Sequence, residues 1–248
     1  MSRFLLLCAS LCTALLSLGQ DYTLTVEEHD TDIVPGLTTY RLYVDMLDAT
    51  DFLSAVFGNE NNPFYLNTPE LFYNDVFATG ATGLGINPAF LGFVPTLAGD
   101  SWVTIGYDTS ALGGTVGTLE DASSPWIGSF LATSPLSGQS VAIESVTGGT
   151  WFVTVPEAGA YAGASGRVLL MQVTATGISG TINTQIFPLG IGACQKQISF
   201  EFDGLGTFDG VAISNNCACT DEDASNYDET ASTDDGSCEY GSSGCTDA

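Results

Sequence analysis

Between Cys219 and Cys238 the chain sets Asp221, Glu222, Asp223, Asp228, Glu229, Asp234 and Asp235 in one short run, with the amide oxygen of Asn226 and a turn-forming Gly236 among them. Oxygen donors at this density are the chemistry of a hard cation, since Ca²⁺ takes roughly six to eight oxygens at close range. Asp221, Asp223, Asn226, Asp228, Asp234 and Asp235 are therefore the candidate calcium ligands, and Ca²⁺ is the one cofactor the sequence suggests. The spacing is not that of an EF-hand loop. Asp221-x-Asp223 opens correctly, but Ser225 takes the third place, Asn226 stands where that loop needs glycine, and no Glu closes it. The competing reading is an ion-free turn held by a disulfide, because the run has almost no apolar material beyond Ala224, Tyr227 and Ala231, and a unit without a core needs a staple.

Catalytic chemistry is thinly represented elsewhere. There is one histidine, His29, so a site of several histidines is excluded and a Ser-His-Asp triad would have to be built on that residue. No G-x-S-x-G elbow occurs, and the glycines of GATGLG (80–85) have neither the spacing nor the following lysine of a phosphate-binding loop. Two carboxylates at a fixed separation would suffice for glycoside hydrolysis, yet acids are so abundant that no pair stands out. Asp45, Asp48 and Asp51 cluster after an expected strand, where an ion or a solvated loop would each fit. Trp102, Trp126 and Trp151 could stack on sugar rings, but Trp102 and Trp151 open strands and read more readily as core.

Residues 4–18 are an apolar run after Arg3, ending at Gly19 with Ser17 two places before it, as in a secretory signal cut after Gly19. The run falls short of the roughly 18–20 residues that cross a bilayer, and no later stretch approaches that length, so no membrane insertion of the mature chain is expected. Removing the leader leaves Arg41, Arg167 and Lys196 against 29 acids in a chain whose net charge is −25. Such a surface repels nucleic acid and anionic membranes, which need basic patches, and suits salty, cation-rich surroundings. Cys8 and Cys12 lie in the leader, leaving Cys194, Cys217, Cys219, Cys238 and Cys245, which in an exported chain read first as disulfides. Cys217 and Cys219 are one residue apart, and either could partner Cys194. Cys194 with Cys217 is favoured, because CTDA at 219–222 (as CTDE) and at 245–248 repeats Cys219 without a copy of Cys217, and this leaves Cys219 for Cys238. Cys245 then begins a second unit whose partner would follow it by 19 residues.

The segment that must carry these features, about 20–217, is patterned as strands. YTLTVEE (22–28) alternates strictly, and TTYRLYVDM (38–46), WVTIGYD (102–108), QSVAIESV (139–146), TWFVTVP (150–156), RVLLMQVTAT (167–176) and ISGTINTQIFP (178–188) are rich in β-branched and aromatic residues. Gly148-Gly149 signals a tight hairpin, Gly177 a second, and DGLG (203–206) a last one, with Cys194 and Cys217 just outside its strands. Many short strands with glycine and proline punctuation predict an all-β domain, a β-sandwich of the jelly-roll or immunoglobulin/cohesin-like kind. A strand-poor stretch, Gly58–Gly99, holds Phe64, Tyr65, Phe72, Tyr73, Phe77, Phe90 and Phe93, too many aromatics for a loose linker, and is expected to form ordered loops over one edge of the domain.

The pattern C-T-D-x-x-A-x-N-Y-x-x-x-A-x-x-D-D-G-S-C, from Cys219 to Cys238, resembles a short repeat of large secreted proteins from marine bacteria and some aquatic eukaryotes. The resemblance implies tandem arrays that act as spacers, and no activity. TYRLYVDMLDATDFLSAVFGNENNPF, GINPAF and DSWVTIG are similar to an uncharacterised extracellular β domain that accompanies such proteins. The expected organisation is a signal peptide (1–19), a β domain (20–217), an acidic cysteine repeat (218–240) and the start of a second repeat (241–248). The expected function is non-enzymatic, exported adhesion or matrix structure with an extracellular glycan or protein as partner. The rival is a carbohydrate-binding domain or glycoside-active enzyme using the loop aromatics as a sugar platform.

Overall fold

The computed structural model describes residues 22–30 and 32–241; the expected leader and Cys245 lie outside the described residues. In chain order the strands are β1 (Thr23–Asp30), β2 (Thr38–Asp45), β3 (Phe52–Gly58), β4 (Phe64–Asn67), β5 (Phe72–Tyr73), β6 (Trp102–Val103), β7 (Gly117–Leu119) and β8 (Leu136–Gly138). They continue with β9 (Val141–Ile143), β10 (Gly149–Phe152), β11 (Arg167–Ala175), β12 (Ser179–Phe187), β13 (Lys196–Asp203), β14 (Gly206–Asn215), β15 (Cys217–Ala218) and β16 (Thr233–Asp234). Among the described residues there is no α-helix, only short 3-10 turns.

The all-β class is as the alternating sequence predicts, but the strands are not divided into two hydrogen-bonded sheets. One antiparallel sheet of twelve strands, in the order β6-β11-β2-β1-β14-β13-β12-β3-β10-β7 with β4 and β9 branching from β12, is curled into a half-barrel. Continuity comes from β14, which changes partner along its length. Residues 206–209 pair with β1, while Gly210–Asn215 pair with β13. At the change stands Gly210, where a Cβ would lie 2.5 Å from Ile198 Cγ2 and 2.6 Å from the Tyr22 carbonyl oxygen. Only glycine lets the backbones approach this closely, and the bend folds the two halves over one core. That core takes Leu24, Leu42 and Val44 from one half and Phe52, Val56, Ile182 and Phe200 from the other.

The strand at DGLG forms its hairpin, but two other expected hairpins do not form. β10 pairs with β3 and β7 rather than with β9, and β9 pairs with β4. A Cβ on Gly148 would strike the Gly58 carbonyl oxygen and one on Gly149 would lie 2.7 Å from the Trp126 indole nitrogen, so these glycines serve close packing instead of a two-residue turn. Likewise β11 and β12, on either side of Gly177, belong to opposite halves of the sheet. β3 is not among the expected strands, because FLSAVFG is a nearly unbroken apolar run whose period separates strand from helix poorly.

β11 is buried on both faces from Val168 to Ala175. Its inner face joins the main core, and its outer face is roofed by the strand-poor stretch, where Ile86 and Leu97 pack with Trp102 and Leu169 in a second small cluster. Gln172 ties the roof down, its Nε2 donating to the carbonyls of Ala98 at 2.9 Å and Asp100 at 2.7 Å. All three tryptophans are buried, and Trp126 and Trp151 stand 5.3 Å apart between ring centroids. Their indole N–H groups donate to the carbonyls of Leu119 and Thr104, both at 3.0 Å, so they are core and not a sugar platform.

The acids of the 45–51 cluster part company. Asp45 pairs with Arg167 Nε at 3.1 Å on the sheet, and Asp48 is exposed and caps Thr50. Asp51 is buried and accepts four bonds, from Tyr22 Oη (3.2 Å), Leu47 N (3.1 Å), Asp48 N (3.0 Å) and Leu189 N (2.8 Å). It thus joins β1, the β2–β3 turn and the turn after β12, where Leu189 has a left-handed φ of 52°. Asp51→Ala leaves buried donors without an acceptor and is expected to destabilise by about 3 kcal/mol, whereas Asp48→Ala is expected to leave the unfolding midpoint unchanged; paired denaturant melts check both.

Candidate functional site

The acidic unit follows β14 directly. Cys194 bonds to Cys217 and Cys219 to Cys238, each with Cα atoms 4.7 Å apart. Between the bridges, the Asn216 carbonyl accepts the N–H groups of Ser232 and Thr233, both at 2.9 Å, and β15 pairs in parallel with β16. Inside the unit only Cys219 and Ala224 are buried, with Tyr227 and Tyr240 exposed. Hydrogen bonds supply the rest of its shape. Asn226 clasps the far strand, donating to the Ser237 carbonyl at 2.7 Å and accepting from Glu239 N at 2.7 Å.

The six candidate calcium ligands are not brought around one point. Asp221 accepts Asp223 N (3.0 Å) and Tyr240 Oη (2.5 Å), Asp228 accepts the N–H and hydroxyl of Thr230, Asp234 accepts Gly236 N and Asp235 accepts Ser237 N. These four carboxylates each close their own turn, and among the described residues no group of three or more His, Cys, Asp or Glu side chains is placed to hold a metal. The same bonds hold the carboxyls of Asp221, Asp228 and Asp235 below the usual range, through Tyr240, Thr230 and Ser237 respectively. These pull ionised side chains toward the backbone beside them instead of toward a shared centre.

Other singled-out residues scatter. His29 is exposed near the end of β1, and partial desolvation with the nearby Arg41 guanidinium lowers its pKa. Of the loop aromatics, Phe64, Phe72 and Tyr73 are buried, while Phe77, Phe90 and Phe93 are exposed, Phe93 at 86 %. Gly83 and Gly85 pack against the carbonyls of Tyr107 and Thr79.

An acid pair with no signal in the sequence is buried beneath the roof. Asp75 accepts Tyr73 Oη and Thr96 Oγ1, both at 2.8 Å, and Phe77 N at 2.9 Å; its own N–H donates to Asp100 Oδ1 at 2.7 Å. Asp100 Oδ2 has no partner. Burial raises the Asp100 pKa to about 8, opposed by the Asp75 N–H and reinforced by the Asp75 charge. Sequence alone offers no hint, because YND and AGD lie 25 residues apart and meet only through the roof.

A cleft of about 690 Å³ lies on the face of β13, β12, β3 and β10 turned away from the core, lined by Phe57, Phe152, Gln185, Gln197, Asn59 and Glu120 among others. Period-two alternation points these strand residues outward, but which strands become neighbours is a tertiary fact. No family model, curated protein or solved structure matches the chain.

Two predictions follow from the acids and the bridges. An unfolded aspartate loses its proton near pH 4 and folded Asp100 near 8; between these the folded state holds a proton the unfolded state has released, so stability falls as pH rises. Asp100→Asn is expected to remove that slope, its stability relative to wild type growing from about pH 5 to about pH 8 in parallel urea melts. Replacing Cys219 and Cys238 by serine removes a constraint worth about 3 kcal/mol in the chain-entropy model. Hydrogen exchange is expected to rise across 219–239 in that variant and stay unchanged in β1–β14, and chelator is expected to leave the wild-type pattern as it was.

Proposed function

We propose that the chain is a non-enzymatic, exported module of surface adhesion or matrix structure, in which the half-barrel offers a ligand face and the acidic unit holds it away from its anchorage. The observation that carries this reading is the join between them. The bridges of Cys217 and Cys219 lie back to back, and Asn216 receives the returning chain, so the acidic unit continues the last strand without a loose linker. Tension along such a path is borne by covalent sulfur and backbone hydrogen bonds, which is what a spacer requires. Disulfides of this kind persist in oxidising, extracellular surroundings. The exposed acids keep neighbouring spacers apart by like-charge repulsion.

Retention on cell-surface and matrix material tests the reading. Beads carrying the full chain are expected to bind such material saturably, and the soluble chain is expected to release no product from chromogenic glycosides, esters or polysaccharides. Turnover of any of them, or retention no greater than that of beads carrying an unrelated acidic protein, would remove it.

A further inference from the structure

We infer that the outward face of β13, β12, β3 and β10 is a binding site for an uncharged oligosaccharide chain, which names the ligand class of the adhesion reading and rests on it. Two cross-strand rows build the site. In the first, Gln197 opposes Gln185, Gln185 opposes Ala55, Ala55 opposes Phe152, and Phe152 opposes Gly117. In the second, Ser199, Asn183, Phe57, Thr150 and Leu119 oppose one another in turn, and since Asn183 is buried with its Nδ2 spent on the carbonyls of Asn62 and Pro63, it is Phe57, Thr150 and Leu119 that line the site. Each row crosses five strands, about 19 Å at the usual strand spacing. Ala55, with its short side chain, leaves a trough between Gln185 and Phe152.

The chemistry of the trough is specific. Phe57 and Phe152 are half-buried, each with part of its ring open to solvent. The Phe152 ring packs directly over Gly117, where a Cβ would lie 2.7 Å from its Cζ. A half-exposed ring packed against the sheet offers an apolar platform suited to the C–H face of a pyranose. Around the rings stand amides with unused capacity: Gln185 Nε2 donates to Gln195 Oε1 at 3.0 Å, which leaves its Oε1 and a second N–H, and Asn59 spends its Oδ1 on its own turn, which leaves its Nδ2. Amides pair a donor with an acceptor, as vicinal sugar hydroxyls do. The volume of about 690 Å³ falls in the usual range for small ligands.

Charge decides which sugars fit. Glu120 is the only ionisable residue lining the cleft, and one of its oxygens is taken by the N–H groups of Trp126 (2.9 Å) and Ile127 (2.7 Å). Among the described residues no cation lines the cleft, and Lys196 alternates to the other side of β13, beside Cys194 and Cys217. Arg41 and Arg167 are spent in ion pairs with Asp108, Glu27 and Asp45 on the other half of the sheet. With a net charge of −25 behind it, this face rejects uronate and sulfated chains and admits neutral ones.

Affinity electrophoresis of the full chain through gels containing laminarin, hydroxyethylcellulose, xylan or galactomannan tests the site, with polygalacturonate and carrageenan as anionic counterparts. Retardation by at least one neutral polysaccharide and by neither anionic one is expected. Phe57→Ala and Phe152→Ala are each expected to weaken it about tenfold, and Gln185→Ala and Gln197→Ala, whose half-exposed amides carry no core packing, several-fold, with the melting transition preserved. Phe93→Ala, on the roof, is expected to change nothing. No retardation by any neutral polysaccharide, retardation by the anionic ones, or loss with Phe93→Ala in place of the sheet variants would each overturn the inference. Surface retention on beads without any polysaccharide binding would remove this site and leave the adhesion reading standing.

Discussion

A single strand that changes partners halfway sets the geometry of everything else. By pairing first with β1 and then, past Gly210, with β13, β14 keeps the hydrogen-bond ladder continuous while turning it through a bend. Backbone polar groups are satisfied on both sides of the change, so the halves can close over one apolar core without an open seam. The tightness of the bend leaves no room for a side chain, and the hairpin splays beyond it, where Phe202 and Phe208 fill the gap with ring centroids 6.3 Å apart.

Curling the sheet this way gives it two outward faces with different fates. Over β2 and β11 the outward face is covered, partly by the roof of loops and partly by a ladder of arginines and acids in which Arg41 lies over Trp102 and Arg167 over Tyr43. Over β3, β10, β12 and β13 the outward face stays open, and among the described residues lining its cleft Glu120 alone is ionisable. The described cations are concentrated on or beside the first half, so the asymmetry follows from where a very small number of basic residues sits. Holding the roof in place requires buried polar atoms, and Asp75, Asp100 and Gln172 supply them. Such networks are specific because a missing partner is costly, which makes the covered face rigid and leaves the open face as the one available for recognition.

The acidic unit is built on another principle. With Cys219 and Ala224 as its buried residues it has no core to speak of, and its fold rests on a bridge, on carboxylates that each close a turn, and on Asn226. Acid density there reflects the number of turns in a short loop, and the described structure places no three of these carboxylates together.

How much was legible in the letters follows the range of the physics involved. Alternation in β1, β2 and β12, the strands of the last hairpin, the absence of helical period and the pairing of four cysteines depend on neighbours close in sequence or on a repeated motif, and these the residues determined by themselves. Gly148-Gly149 and Gly177 misled because a glycine serves a turn and a close backbone contact equally well, and only the fold tells which. β3 was hidden because its outward positions carry Ala55 and Phe57, so an apolar run masks the alternation even though that face is only half-buried. The meeting of Asp75 with Asp100, the fourfold capping of Asp51, and the alignment of Phe57, Phe152, Gln185 and Gln197 on one face were decided by tertiary structure alone, since strand order and register join residues far apart in the chain and no local propensity encodes them.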